Sequence, residues 1–212
     1  MTSFRSVSHD ASGLPATANG QRQWRFGYSV PVVSNTYATW NPADKAADIG
    51  LSNGDLTFSH SGGSWSSVRA NQGKNSGKWY FEINPTESAG YIIVGVASSS
   101  AGLGTFMGAD EHAWAYFGLN GNKISAGVLS AYGITCTDGD VIGLAVNLDG
   151  MTMTIYINNA SQGAIDISSL TGATLFPAAS CYISQLNYAT ANFGASAFTY
   201  APPAGYNSGW YE

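Results

Sequence analysis

The sequence predicts an all-β protein, a two-sheet antiparallel sandwich, and three observations carry that prediction. Charged residues make up only 10% of the 212, while Gly numbers 26 and the aromatic residues reach 13%, a mixture that suits sheets and tight turns rather than helices. From about residue 37 onward, short apolar runs of strand length recur between clusters of Gly, Asn, Asp and Ser. One stretch, "VIGLAVNLDGMTMTIYIN" at 141–158, has the alternation of a hairpin around a central Asp-Gly. Ten or more strands at such spacing are the pattern of a sandwich.

Residues 1–36 precede this pattern. They are rich in Ser, Ala, Gly and Asn and lack a sustained period except around "QWRFGYSVPVV", where Trp24, Phe26 and Tyr28 alternate as one short strand would. Residues 1–30 hold Arg5, Arg22 and Arg25 against Asp10 alone, whereas the rest carries five basic and twelve acidic side chains. We read an extended, mildly basic arm that anchors through Arg5, Arg22, Trp24 and Arg25.

The body spans 37–200. Its expected strands are "DLTFSH", "WSSVRA", "KWYFEIN", "YIIVGVA", "HAWAYFGL", "NKISAGV", "VIGLAVNL", "MTMTIYIN", "LFPAASCYI" and "TANFG". The stretch 98–112, "SSSAGLGTFMGADEH", is the longest internal loop, and loops of that length tend to be functional. Residues 201–212, proline-bearing and aromatic, are expected to lie across the body.

Within 141–158 a two-residue primed turn at Asp149-Gly150 fixes the register. Leu148 then faces Met151, Val146 faces Met153, Leu144 faces Ile155 and Ile142 faces Ile157, so one face is entirely apolar. Asn147, Ala145, Gly143 and Val141 face Thr152, Thr154, Tyr156 and Asn158 on the other, with an aromatic over a glycine. A slip by one residue would turn the apolar set outward, which specifies the register strongly. The same geometry places Asp140 and Asp149 at opposite ends of one strand, roughly 30 Å apart. They cannot share a cation, and Asp138, Asp140 and Asp149 read as turn residues.

Other chemistries find little support. A net charge of −5 with eight basic residues excludes a nucleic-acid surface. The first twenty residues lack the apolar core of a secretory signal, and no run reaches membrane-spanning length, so synthesis in a cytosol is expected without membrane insertion. Cys136 and Cys181 are expected as two buried free thiols. The histidines His9, His60 and His112 sit without zinc-ligand spacing. There is no G-x-S-x-G elbow, and "AGLGTFMG" lacks the Lys of a phosphate loop. His112 beside Asp110 and Glu111, and Glu82 as one of a glycosidase pair, are the remaining acid/base candidates. No catalytic residue, metal or cofactor is expected.

The segments "GKWYFEI" (77–83), "IIVGVA" (92–97), "DGDVIGLAVNLD" (138–149), "MTIYINN" (153–159), "LFPAAS" (175–180), "ANFG" (191–194) and "FTYAPPAGY" (198–206) resemble, in order, the strands of a SPRY domain. "LSNGDLTFSHSGGSWSSVRA" resembles the strands that lead into phage-encoded examples. The resemblance implies a bent, concanavalin-like two-sheet sandwich and a protein-binding module whose contacts come from loops at one end. Several eukaryotic members carry a Trp-Gly pair after the strand matching "LFPAAS"; here Cys181-Tyr182 stands there, so their peptide specificity does not transfer. By position, the candidate contact residues are Trp65, Arg69, Phe106, Met107 and Tyr182.

A short chain with a Ser/Ala/Gly arm resembles a bacteriophage virion component. The expectation is a non-enzymatic structural module that decorates a capsid or tail and is anchored through its terminal segments. Its partners are other virion proteins, copies of itself, or a host surface glycan or protein. The alternative is a receptor- or carbohydrate-binding module of a tail fibre. A third reading, a hydrolase on Glu82 or His112, requires a cavity at the 98–112 loop.

Overall fold

A computed structural model describes residues 17–18, 21–22, 35–86, 91–182 and 189–212. The chain forms two compact units, residues 1–35 and 36–212. In the first, β1 (Thr17–Ala18) pairs antiparallel with β2 (Gln21–Arg22), which contains Arg22. Arg5, Trp24 and Arg25 lie outside the described residues.

The second unit is a sandwich of two sheets, as the sequence predicts. One sheet contains β3 (Trp40–Lys45), β6 (Ser66–Ala70), β8 (Ile92–Ser98), β9 (Ala113–Phe117), β10 (Lys123–Ser125), β11 (Val128–Ser130) and β15 (Leu175–Cys181). Their order is β11-β10-β9-β8-β15-β6-β3. The other contains β4 (Ile49–Ser52), β5 (Thr57–His60), β7 (Lys78–Pro85), β12 (Ile142–Asn147), β13 (Thr152–Ile157), β14 (Ala160–Asp166) and β16 (Ala189–Asn192), ordered β14-β13-β12-β7-β16-β5-β4. A short β17 (Asn207–Ser208) adds in parallel to β7.

The β12–β13 hairpin has the expected register, from Ile142 opposite Ile157 to Asn147 opposite Thr152. Its turn differs from the expectation. Positive φ falls on Met151 (48°) and on neither Asp149 nor Gly150, so Leu148 to Met151 form a four-residue connection. Two-residue and four-residue loops share one symmetry centre, which is why the register survives. Ile142, Leu144, Val146, Met153, Ile155 and Ile157 enter the central core, each contributing about 1.5–3 kcal/mol on burial. The ring pressed on Gly143 belongs to Tyr80 of the neighbouring strand: a Cβ at 143 would lie 2.5 Å from the Tyr80 hydroxyl oxygen.

Each sheet is also covered on part of its outer face. All seven residues of β8 are buried, a pattern that an antiparallel strand shows only when each of its faces is packed. The 99–112 connection covers the outer face, where Ile93, Ala97, Ala101, Met107, Ala113, Ala115, Ile124 and Ala178 form a second apolar cluster. On the other sheet, Phe198 stacks edge-on to Tyr80 at 5.0 Å, and the Thr199 and Tyr200 amides donate to the Glu82 carboxylate.

Candidate functional site

In the first sheet, Ser66 of β6, Cys181 of β15 and Ile92 of β8 form one register row across three adjacent strands. The residue just beyond each is aromatic: Trp65, Tyr182 and Tyr91. Alternation places these three on the outer face, together with Ser67, Ser180 and Ile93. Phe117 of β9, opposite Ile93, joins them there.

The result is a cluster centred on Trp65. Its ring lies 6.0 Å from Phe106, 5.6 Å from Phe117 and 5.1 Å from Tyr182, and Tyr182 lies 6.1 Å from Tyr91. The Phe contacts are edge-on, a core-like geometry. The tyrosines tilt by 39° and 32° and remain 36% (Tyr182) and 42% (Tyr91) exposed. Half-open aromatic faces on rigid strand ends give contact area at little conformational cost.

Phe106 is held in place from below. Ser180 Oγ accepts the Met107 amide at 2.7 Å and lies 2.7 Å from Ser67 Oγ, while the Ser67 hydroxyl donates to the Thr105 carbonyl. Two buried serines of the sheet thus satisfy the loop backbone. Asp110 closes the loop by accepting the Gly102 amide at 2.9 Å and the His112 amide at 2.9 Å.

Trp65, Phe106 and Tyr182 therefore meet, and Arg69 and Met107 are placed elsewhere than the sequence reading has them. Arg69 is only 5% exposed; its guanidinium pairs bidentately with Asp44 at 2.8 Å and donates to the Ala101 carbonyl at 2.7 Å. Met107, 1% exposed, fills the second apolar cluster. Sequence reasoning missed Tyr91 and Phe117, which stood inside expected strands. The signal for Phe117 is the series Ala113, Ala115, Phe117, small residues followed by a ring on one face.

The acid/base candidates are occupied structurally or dispersed. Glu82 is fully buried and accepts the Thr199 amide at 2.8 Å, the Tyr200 amide at 2.9 Å and the Tyr80 hydroxyl at 3.2 Å. Burial, followed by the Glu82 charge, raises the Tyr80 phenol above its usual range. Glu111 and His112 line a cleft of about 290 Å³ near Ser98, Ser169 and Thr171, at the end of β8 away from the aromatic cluster. The two ends of the 98–112 loop thus line this cleft, but of the acid/base candidates it takes only Glu111 and His112, since Glu82 belongs to β7 of the other sheet.

The three aspartates of the hairpin act in turns. Asp140 accepts the Thr137 amide at 2.7 Å, the Thr137 hydroxyl at 3.0 Å and the Asn158 side-chain amide at 2.6 Å. Partial burial would raise its carboxyl, but these hydrogen bonds outweigh it and hold the group below the ordinary value. Asp149 accepts the Gly77 amide at 2.7 Å. Among the described residues, no three His, Cys, Asp or Glu side chains are grouped to hold a metal ion. Cys136 and Cys181 are both buried thiols outside any disulfide, and burial pushes each up to about 12.

Comparison with known proteins agrees with this architecture. The chain is 31% identical over 172 residues to Ran-binding protein 9 of Xenopus tropicalis, covering 76% of this chain and 31% of that protein. Against human Ran-binding protein 9 it is 33% identical over 135 residues, covering 59% and 18%. The chain thus spans less than a third of these relatives' length. The SPRY domain of human HERC1 superposes with a TM-score of 0.63 at 18% identity, covering 72% of this chain and 96% of that one. The TRIM65 PSpry domain gives 0.61 at 16%, covering 74% and 92%. The SPRY-domain profile itself matches residues 78–196, more than half of the chain, so this protein belongs to the SPRY-domain family.

Proposed function

We propose that this SPRY interaction module grips an extended, uncharged segment of a partner protein on the aromatic row Trp65–Tyr182–Tyr91. The observation that carries the reading is the pair of exposed tyrosines held at neighbouring strand ends by one register row and backed by a packed Trp65. None of the five rings carries a charge, and the guanidinium four residues along β6 is already neutralised by Asp44. Such a surface selects apolar and aromatic side chains and backbone rather than phosphate or carboxylate groups. The Ran-binding relatives and SPRY structures support an interaction role over an enzymatic one.

The test is selection of a random peptide library on the full chain. Enriched peptides are expected to lose at least about tenfold in affinity with Tyr182→Ala, as a hot-spot aromatic does. Binding that survives both Tyr182→Ala and Tyr91→Ala would overturn the site.

A finer placement, decoration of a bacteriophage capsid or tail after synthesis in a bacterial cytoplasm, is supported by the small-residue, basic composition of residues 1–36 and by the resemblance of residues 51–70 to the leading strands of phage-encoded examples. Its test is deletion of residues 1–30, expected to leave a folded protein that no longer joins particles; unchanged incorporation defeats it. The tilted tyrosine faces also favour a second reading, since sugar rings stack on such surfaces. Glycan-array binding abolished by Tyr182→Ala, with no peptide enrichment, would select the carbohydrate-binding alternative.

A further inference from the structure

Three of the four outer strands of the sandwich are guarded against edge pairing. β3 carries Pro42, Asp44 and Lys45. β4 is bracketed by Asp48 and Asp55. β14 has a register shift against β13 and ends in Asp166. Proline, charge, irregular register and short length are devices that keep a sheet from adding a foreign strand.

β11 is short, at three residues, but has none of the others. Residues 124–137, "ISAGVLSAYGITCT", contain neither a charge nor a proline. All three residues of β11 are exposed, Val128 at 62% and Leu129 at 45%. Leu119 and Ile134, 47% and 57% exposed, follow on the adjoining turn and strap. Among the described residues, the other exposed large apolar side chains are Tyr91 and Tyr182 of the aromatic row.

The backbone of this edge determines what can cover it. Ser125 and Val128 close a two-residue turn with positive φ at Ala126 (50°) and Gly127 (72°), the primed geometry. They are therefore a hydrogen-bonded pair, and the next pair, Ile124 and Leu129, is non-bonded. Leu129 accordingly turns its N–H and C=O outward, away from β10. An antiparallel strand satisfies both groups, and antiparallel pairing is two-fold symmetric. Leu129 on the axis would exchange both bonds with its own copy.

We propose that this protein forms a two-fold dimer through β11, joining the seven-stranded sheets of two copies edge to edge with Leu129 on the axis. The neutral edge lets two chains of net charge −5 meet without like charges at the seam. An isologous contact closes on itself and stops at two copies. The contact covers Val128 and Leu129 and leaves Tyr182 and Tyr91, at other strand ends, available to a partner. The dimer would present two aromatic rows and so bind repeated partners with avidity.

Light scattering on the full chain should give twice the 22.1 kDa of one copy. Leu129→Lys should shift it to the monomer with its near-ultraviolet circular dichroism unchanged. A hydrogen-bonded antiparallel pair has a Cα separation of about 5.5 Å, within disulfide range. Leu129→Cys should therefore crosslink two copies under mild oxidation, while the exposed control Ser99→Cys should not. A chain that stays monomeric, including one that takes another protein's strand at this edge, overturns the proposal. So does a dimer that Leu129→Lys leaves intact or that Leu129→Cys fails to crosslink.

Discussion

His60 illustrates what a single residue can reveal. It is 2% exposed, points to the same side of β5 as Phe58, and neither ring nitrogen has a hydrogen-bond partner. Burial lowers its pKa from 6.5, and the charge of Asp48 only partly opposes this. The sign follows from linkage. Below pH 6.5 the unfolded chain takes up a proton that buried His60 resists, so acidification favours unfolding. Above that value His60 is neutral in both states and contributes no pH dependence. Urea denaturation from pH 7.5 to about 5 should show stability falling, and His60→Leu should flatten that slope. An unchanged slope would mean that the ring is solvated in the native state. At the same scale, Arg69 and Met107 show why a residue type does not announce its exposure. The guanidinium is buried only because Asp44 and the Ala101 carbonyl converge on it from distant parts of the chain.

At the scale of elements, the closeness of β8 and β9 depends on Gly95. A Cβ there would lie 2.0 Å from the Trp114 carbonyl oxygen, a backbone atom of the paired strand that cannot move without breaking the ladder. Gly95→Ala should cost about 1–3 kcal/mol or more in chemical denaturation, the range of overpacked cores. A neutral substitution would show that the two strands separate easily. The elements that sequence reasoning recovered are those with strong apolar runs, such as β7, β8, β12, β13 and β15. Those it missed in the two sheets lie at edges or are very short: β3, with a proline inside it, the four-residue β4, β14, whose "ASQGAID" has no apolar alternation, and the two-residue β17. Edge strands are held by one neighbour, so their residues need not carry the pattern of a buried strand. The segment "NKISAGV" read as one strand is β10, a turn and the start of β11, with the primed turn at Ala126-Gly127 rather than at Asp149-Gly150.

For the whole molecule, the second unit closes on itself. Thr36 and Glu212 exchange backbone hydrogen bonds at 3.0 and 2.9 Å, Tyr37 bridges Tyr211, and Trp210 is fully buried against Trp79 and Phe81. A chain of residues 35–212 should therefore fold with the cooperativity of the full protein, measured by its denaturation slope. Trp210→Ala should cost about 3–5 kcal/mol, as loss of a buried large aromatic does. Loss of cooperative folding in the shortened chain would show that the first unit completes the core.

The sequence by itself determined the sandwich, the register of 142–157 and the role of the aspartates, because alternation and turn chemistry are local properties that a strand carries with it. It also identified Trp65, Phe106 and Tyr182 as residues of interest. Only the tertiary structure decided that these three meet beside Tyr91 and Phe117, that Arg69 and Met107 are interior, and that β11 is the unguarded edge. Those facts depend on which strands become neighbours across the sheet. That choice is settled by the packing of both faces at once, and no short stretch of sequence encodes it.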